Sequence, residues 1–119
     1  MAGTALARAV DAITTGAAPL APFVMVQAGG AVSVTGRASA AAAREYAVAH
    51  TQAELAAFAA DAVIPFDGRS QAAVVVEAWN FSSRRGAAIA LRYGMKRGRA
   101  FPIGGPLELG TNGWIDRLD

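Results

Sequence analysis

The chain has no cysteine and only one histidine in its 119 residues. Without cysteine there can be no disulfide, no thiolate metal ligand and no thiol nucleophile. With one histidine, His50, every catalytic dyad or triad that uses an imidazole would have to use this residue. No apolar run approaches the roughly 18 residues that a membrane-spanning helix needs. These absences favour a protein that does not span a membrane, and we expect no dedicated metal site and no cofactor.

The composition is strongly biased. Alanine accounts for thirty residues, and ten of the eleven basic residues are arginine. Both biases are typical of GC-rich bacterial genomes, so we expect a bacterial protein and attach little weight to alanine or arginine abundance alone. The length is that of one domain, and we treat residues 1–119 as a single unit. The lack of cysteine is compatible with a reducing compartment, and we expect a cytoplasmic location.

Acidic residues are missing from one long stretch. No aspartate or glutamate lies between Glu77 and Glu108, and six of the eleven basic residues fall there: Arg84, Arg85, Arg92, Lys96, Arg97 and Arg99. The formal net charge is only +2, which does not by itself indicate a nucleic-acid-binding protein. A local region of one charge sign nevertheless indicates where an anionic partner would bind.

The first half of the chain predicts a helix, a hairpin and more helix. Apolar residues recur at helical spacing from about residue 4, and alternating residues on either side of Gly29-Gly30 indicate a β-hairpin. Alanine then dominates residues 38–62 without glycine or proline, which favours helix. A capping box that starts at Thr51 would divide this region into two helices, so one helix and two both remain open.

The second half predicts three strands. Residues 73–81 are rich in valine and aromatic residues, and residues 87–95 alternate cleanly, with Leu91 and Arg92 on opposite sides. The third strand continues this alternation but contains two prolines, which place it at a sheet edge with a bulge or kink. The final residues could form one helical turn that buries Trp114.

These elements predict an α+β domain in the order α-β-β-α-β-β-β, with an antiparallel sheet and its helices packed on one face. The same order of elements is found in profilin-like and roadblock-like domains, and the helix-plus-cone arrangement of NTF2-like domains is also close to it. These are analogies of element order, and they carry no function.

The strand alternation also predicts two different sheet faces. If Leu91 and Tyr93 point into the core, Val74 and Val76 on the preceding strand do so too, because paired strands share a buried face. Trp79 then lies on the other face with Arg92 and Lys96. A face that holds tryptophan beside cations is rarely left to solvent, so we expect a ligand, a second subunit or the C-terminal residues to cover it.

Other arrangements that could carry chemistry are weaker. Tyr46, His50 and Glu54 would share a helix face if the helix is continuous, and a glutamate that orients a histidine is a plausible general base. The ordinary interpretation is a set of surface residues. The glycine pairs do not lie between a strand and a helix, as a nucleotide-binding loop requires.

We therefore expect a non-catalytic binding or assembly module. It would form a homodimer, or bind an acidic protein or a small anionic ligand, through the mixed apolar and basic face around Trp79, Arg92 and Lys96. The turn residues Arg84, Arg85, Arg97 and Arg99 would extend this surface. The alternative is a small-molecule-binding protein or enzyme whose pocket uses Tyr46, His50 or Tyr93 as polar contacts. Nucleic-acid binding along the basic residues, with Trp79 as a stacking platform, ranks third.

Overall fold

A computed structural model describes residues 2–15, 20–49, 53–81 and 85–111. These residues form two helices and six strands in the order α-β-β-α-β-β-β-β. The elements are α1 (Ala2–Thr15), β1 (Phe23–Ala28), β2 (Ala31–Gly36), α2 (Ala40–Ala49), β3 (Leu55–Phe66), β4 (Arg69–Asn80), β5 (Arg85–Lys96) and β6 (Arg99–Thr111). The α+β class, the antiparallel sheet and the edge position of the last strand are confirmed, and one strand more than expected follows α2.

The strands form one antiparallel sheet in the spatial order β2-β1-β3-β4-β5-β6. Three hairpins use two-residue turns, Gly29-Gly30, Asp67-Gly68 and Arg97-Gly98, in which both residues have positive φ. Such turns match the natural twist of paired strands, which explains the long unbroken pairing of β3 with β4. The pairing of β5 with β6 has register shifts near Ile89 and Leu91, where a bulge was expected.

The two helices lie on opposite faces of the sheet. Helix α1 packs on the face formed by Phe23, Met25, Val74 and Leu91, and we call this the α1 face. Helix α2 packs on the other side, where Val24 belongs to its cluster, and we call this the α2 face. The expectation that both helices share one face is therefore wrong. Successive residues of β1 are buried on alternate sides, and each side needs its own cover.

Strand β3 replaces the second half of the expected helical region. The whole segment from Ala56 to Ala60 is buried, with alternate residues in the α1-side and α2-side clusters. Alanine is favoured here because both helices approach the strand closely, and this packing overrides its helix propensity. Only Ala40–Ala49 of the alanine-rich region is helical. Ser39 accepts a hydrogen bond from the Ala42 amide at 3.1 Å and so caps this helix.

The expected alternation of β4 and β5 is confirmed. Val74, Val76, Leu91 and Tyr93 belong to the α1-side core, whereas Trp79 belongs to the α2-side core. The strands are longer than the sequence pattern indicated, because the hairpins extend beyond the apolar runs. The expected C-terminal helical turn lies outside the described residues.

Candidate functional site

The α2 face is divided into two halves. Helix α2 packs on β1 and on the first half of β3, and the residues beneath it form the covered half: Val24, Val26, Ala56, Phe58, Ala60, Glu77 and Trp79. Beyond it the face continues over the far ends of β3 to β6. In the described ranges no helix lies on that part, which we call the open half: Ile64, Phe66, Arg69, Gln71, Ala73, Val75, Ala90, Arg92, Lys96, Arg99, Phe101, Ile103 and Leu107.

Trp79 is in the covered half and is only 1% exposed. Its ring stacks on Phe58 with centroids 5.9 Å apart and an interplanar angle of 26°. Helix α2 brings Ala43 and Ala47, both fully buried, against this cluster, and their small side chains allow close approach. Trp79 is therefore covered by α2, and not by one of the three covers expected from the sequence, which were a ligand, a second subunit and the C-terminal residues. Because the ring is buried, Trp79 is not an open platform on which a base or ligand could stack.

Glu77 lies in the same covered half. Its Oε2 is 3.8 Å from Nε of Arg44, which projects from α2. Its direct neighbours across the sheet are Phe58 and Ala88, so it is not opposite Arg92. Burial raises the pKa of Glu77 to about 7, and the nearby Arg44 charge only partly opposes this rise. The carboxyl is therefore held in a poorly solvated place beneath α2.

The open half combines exposed aromatic rings with cations. Phe66 is 36% exposed and Phe101 44%. Four basic residues belong to the same half of the face: Arg69, Arg92, Lys96 and Arg99. In the part of the chain that the structure describes, no strand position of this half is acidic. A floor of fully buried Ala73 and Ala90 lies between these cations. This half is thus both apolar and positively charged.

Arg92 is the central cation of the open half. Its guanidinium carbon lies 3.8 Å from the centroid of the Phe66 ring, which is close enough for a cation–π interaction. Nη2 fills the space beside Gly104, where a Cβ atom would lie only 2.6 Å away. Nε is buried and makes no hydrogen bond within the described ranges. The contact with the Phe66 ring and the space beside Gly104 together hold the guanidinium at a defined position.

The two hairpin turns beside the open half carry opposite charges, Asp67 in the β3–β4 turn and Arg97 in the β5–β6 turn. The β3–β4 turn and the β5–β6 turn lie at the same end of the sheet, because β3 and β5 run in the same direction. Arg97 occupies the first position of its turn with φ of 53°, a left-handed conformation that arginine rarely adopts. The sequence order predicts basic residues at both ends of β5, and this strand begins at Arg85 and ends just before Arg97.

The proposed pocket residues are not brought together. Tyr93 is buried in the α1-side core, and its hydroxyl donates to Asp61 Oδ2 at 2.7 Å. The same carboxylate oxygen accepts a hydrogen bond from the Leu20 amide. Burial, followed by the hydrogen bond and the charge of Asp61, raises the pKa of Tyr93 to about 12. This pair joins the segment after α1 to the sheet.

Tyr46 is on the other side of the sheet. It lies on α2, and the guanidinium of Arg37 stacks 3.8 Å above its ring. Tyr46 and Tyr93 thus cannot line one pocket between a helix and the sheet. His50 and Arg84 lie outside the described residues, as does the Arg85 side chain. In the described part of the chain no group of three aspartate, glutamate or histidine residues is placed to hold a metal ion.

One groove of about 580 Å³ lies on the α1 face near the β2 edge. Its walls include Arg8, Leu20, Phe23, Val34 and Gly36. The Arg8 guanidinium lies 5.8 Å from the centroid of the Phe23 ring. Neither Tyr46 nor Tyr93, the two described residues proposed from the sequence as pocket groups, lines this groove.

Sequence reasoning missed Phe66 and Arg69, which belong to the open half. Both flank the Asp67-Gly68 turn, and such a dipeptide between alternating segments indicates a hairpin. The Asp67-Gly68 dipeptide indicates the turn, but the alanine content of the segment before it favours helix and so conceals strand β3. None of the described helices is long and apolar enough to cross a membrane.

Comparison with known proteins identifies no relative: no family model, no curated protein and no solved structure matches this chain. The analogies of element order consequently gain no support, and function has to be argued from the open half itself.

Proposed function

We propose that the protein is a non-catalytic binding module that binds an acidic segment of a partner protein on the open half of the α2 face. One observation carries the proposal: four cations and two exposed phenylalanines share this half, and no acidic residue occupies its described strand positions. Exposed apolar groups next to arginine are typical of the centre of a protein interface.

Charge favours an acidic partner over a second copy at this surface. A two-fold interface would bring the same patch of both copies together. Arg92, Lys96 and Arg99 would then face their own equivalents across the axis, and like charges oppose association. A segment rich in aspartate and glutamate would instead find opposite charges, and Arg92 could bind a carboxylate through both of its outer nitrogens.

The apolar part of the surface favours protein over nucleic acid. Single-stranded nucleic acids are bound by open aromatic rings on which bases stack. Trp79 is buried, and one side of the Phe66 ring is occupied by Arg92. Leucine or phenylalanine side chains of an acidic segment can instead pack on Phe101, Ile103 and Leu107. The composition is compatible with a role in the bacterial cytoplasm, which is the setting we infer.

The strain at Arg97 also supports this function. Glycine or asparagine would adopt its left-handed conformation at lower energy. A charged residue at an unfavourable backbone position is a reason to suspect a role in binding. Arg97 lies at the end of the sheet where the open half ends, so its charge adds to the field that would attract an acidic partner.

The test uses a labelled peptide in which glutamate alternates with leucine, and a second peptide with glutamine in place of glutamate. We expect the acidic peptide to bind in a salt-dependent manner and the glutamine peptide to bind at least about tenfold more weakly. Arg92→Ala should weaken binding by about tenfold. Arg8→Ala, which removes an exposed charge on the α1 face, should leave it unchanged.

Two results would overturn the proposal. The first is equal binding of both peptides, or of neither. The second is a single-stranded oligonucleotide that binds more tightly than the acidic peptide and whose binding is weakened equally by Arg92→Ala. That result would make the open half a nucleic-acid-binding surface.

A further inference from the structure

Strand β2 is an edge strand without the usual protection. It pairs with β1 on one side and, within the described ranges, with no strand on the other. Its residues Ala31–Gly36 include no charge and no proline, and its pairing with β1 shows no bulge. Charges, prolines and bulges are the devices by which proteins keep edge strands from pairing with another chain. Edge strand β6 has two prolines and two register shifts.

The hairpin geometry determines which backbone groups of β2 point outwards. In a two-residue hairpin the residues next to the turn, Ala28 and Ala31, form a hydrogen-bonded pair, and hydrogen-bonded and non-bonded pairs alternate from there. Val32, Val34 and Gly36 therefore direct their N–H and C=O groups away from β1. These groups form a ready ladder for one more antiparallel strand.

The side chains of β2 are also exposed. Val32 is 52% exposed and Val34 39%, and both lie on the α1 face because they are opposite Gln27 and Met25. Next to them is the groove of about 580 Å³, whose wall includes Gly36. A side chain added at Gly36 would meet no atom within 4 Å. The same edge thus presents the exposed side chain of Val32 and, four residues later, unoccupied space beside Gly36.

We propose that two copies of this chain associate through β2, with the two β2 strands antiparallel around a two-fold axis at Val34. In this register Val34 faces its equivalent, and Val32 of each copy faces Gly36 of the other. All three outward-facing residues then form hydrogen-bonded pairs. Val32 of one copy projects beside the groove of the other, and the sheets of both copies join into one.

A second copy is the occupant that these features fit best. The strand is uncharged, so two-fold pairing places no like charges of β2 against each other. The Val32 projection and the Gly36 space lie on the same strand at equal distances from Val34, so the edge is complementary to itself. This surface is separate from the open half of the α2 face, and either proposal can fail without the other.

The first test is the mass of the full chain in solution as a function of concentration, by sedimentation velocity. We expect a monomer–dimer equilibrium in the micromolar range. Val34→Lys should raise the dimer dissociation constant by at least about tenfold, because two ammonium groups would meet at the axis. Val63→Lys is the matched control: Val63 is 68% exposed on the same face but lies in an interior strand, and its substitution should have no effect.

The second test measures the register. Because the chain has no cysteine, a single Val34→Cys substitution provides one defined thiol. Hydrogen-bonded antiparallel neighbours have Cα atoms about 5.5 Å apart, which is within the range of a disulfide. We expect Val34→Cys to form a covalently cross-linked dimer on oxidation and Val63→Cys to form no covalent cross-link. A monomer at all concentrations, a dimer unaffected by Val34→Lys, or equal cross-linking at both positions would overturn the proposal.

Discussion

The two halves of the α2 face are built from the same strands but stabilised by different contacts. In the covered half, Phe58 stacks on Trp79 beneath α2. In the open half, Phe66 lies eight residues further along the same strand on the same side, and its ring is covered by the guanidinium of Arg92. The Phe58 ring thus packs on another aromatic ring, whereas the Phe66 ring packs on a cation. The comparison shows that burial under a helix, and not the strand itself, separates the packed half of this face from the exposed half.

The largest difference should come from the two phenylalanines. Phe58→Ala removes a buried ring and leaves a cavity beneath α2, so we expect the free energy of unfolding to fall by about 3–5 kcal/mol. Phe66→Ala, the matched change in the open half, should lower it by less than about 1 kcal/mol. Urea denaturation of both variants measures this difference. Equal losses would show that the open half is as tightly packed as the covered half.

Glu77 provides a test of burial in the covered half, through the ionisation of its carboxyl group. Its pKa is about 7 in the folded protein and 4.5 when solvated, so the folded state holds the proton more tightly. Stability from this residue is therefore greatest below pH 4.5 and is lost as pH rises through 7. Glu77→Gln should stabilise the protein by on the order of 1 kcal/mol at about pH 8, after allowance for solvent screening, and by little at about pH 4.

The measurement is thermal or urea unfolding of both proteins at the two pH values. Glu45→Gln is the control, because Glu45 is an exposed residue of α2. A stabilisation by Glu77→Gln that is the same at both pH values would contradict the buried ionisation.

Arg92 tests the open half. Arg92→Ala removes the cation above Phe66 but no buried apolar group, so we expect a loss of about 0.5–1 kcal/mol in unfolding free energy. Arg92→Lys keeps the charge but not the planar fork, and it should bind the acidic peptide more weakly while the protein stays nearly as stable. A loss of several kcal/mol on Arg92→Ala would instead make Arg92 part of the core, and the open half would no longer qualify as a binding surface.

The smallest effect is expected at Arg97. Arg97→Asn should raise the free energy of unfolding by about 0.5 kcal/mol, because asparagine tolerates the left-handed conformation that this turn position requires. The same substitution should slow association with the acidic peptide by removing a charge near the open half. Stopped-flow association rates and urea denaturation measure the two effects. A variant that is less stable than the original would show that the Arg97 backbone is not strained.

The sequence predicted the strands of the second half well, because on β5 the large residues Leu91 and Tyr93 pack on the α1 side while Ala90 and Arg92 lie on the other, which leaves a visible alternation. It failed for β3, where helices on both sides bury every residue from Ala56 to Ala60 and the alternation disappears. Of the four cations of the open half, Arg92, Lys96 and Arg99 were named from the sequence, whereas Arg69 was missed because the segment before it favours helix. The role of Trp79 was also missed, because the strand pattern shows which face a residue occupies but not which element covers that face.

The buried alanines of β3 also limit which substitutions the middle of the sheet can accept. They act as a spacer of fixed thickness between α1 and α2, and a single added methylene at Ala57 or Ala59 would push against α1 and displace it. Substitutions in the middle of the sheet are thus restricted in both directions, since smaller residues would weaken the strand and larger ones would separate the layers. The hairpin ends lie outside these packed layers, so substitutions there should leave the architecture unchanged.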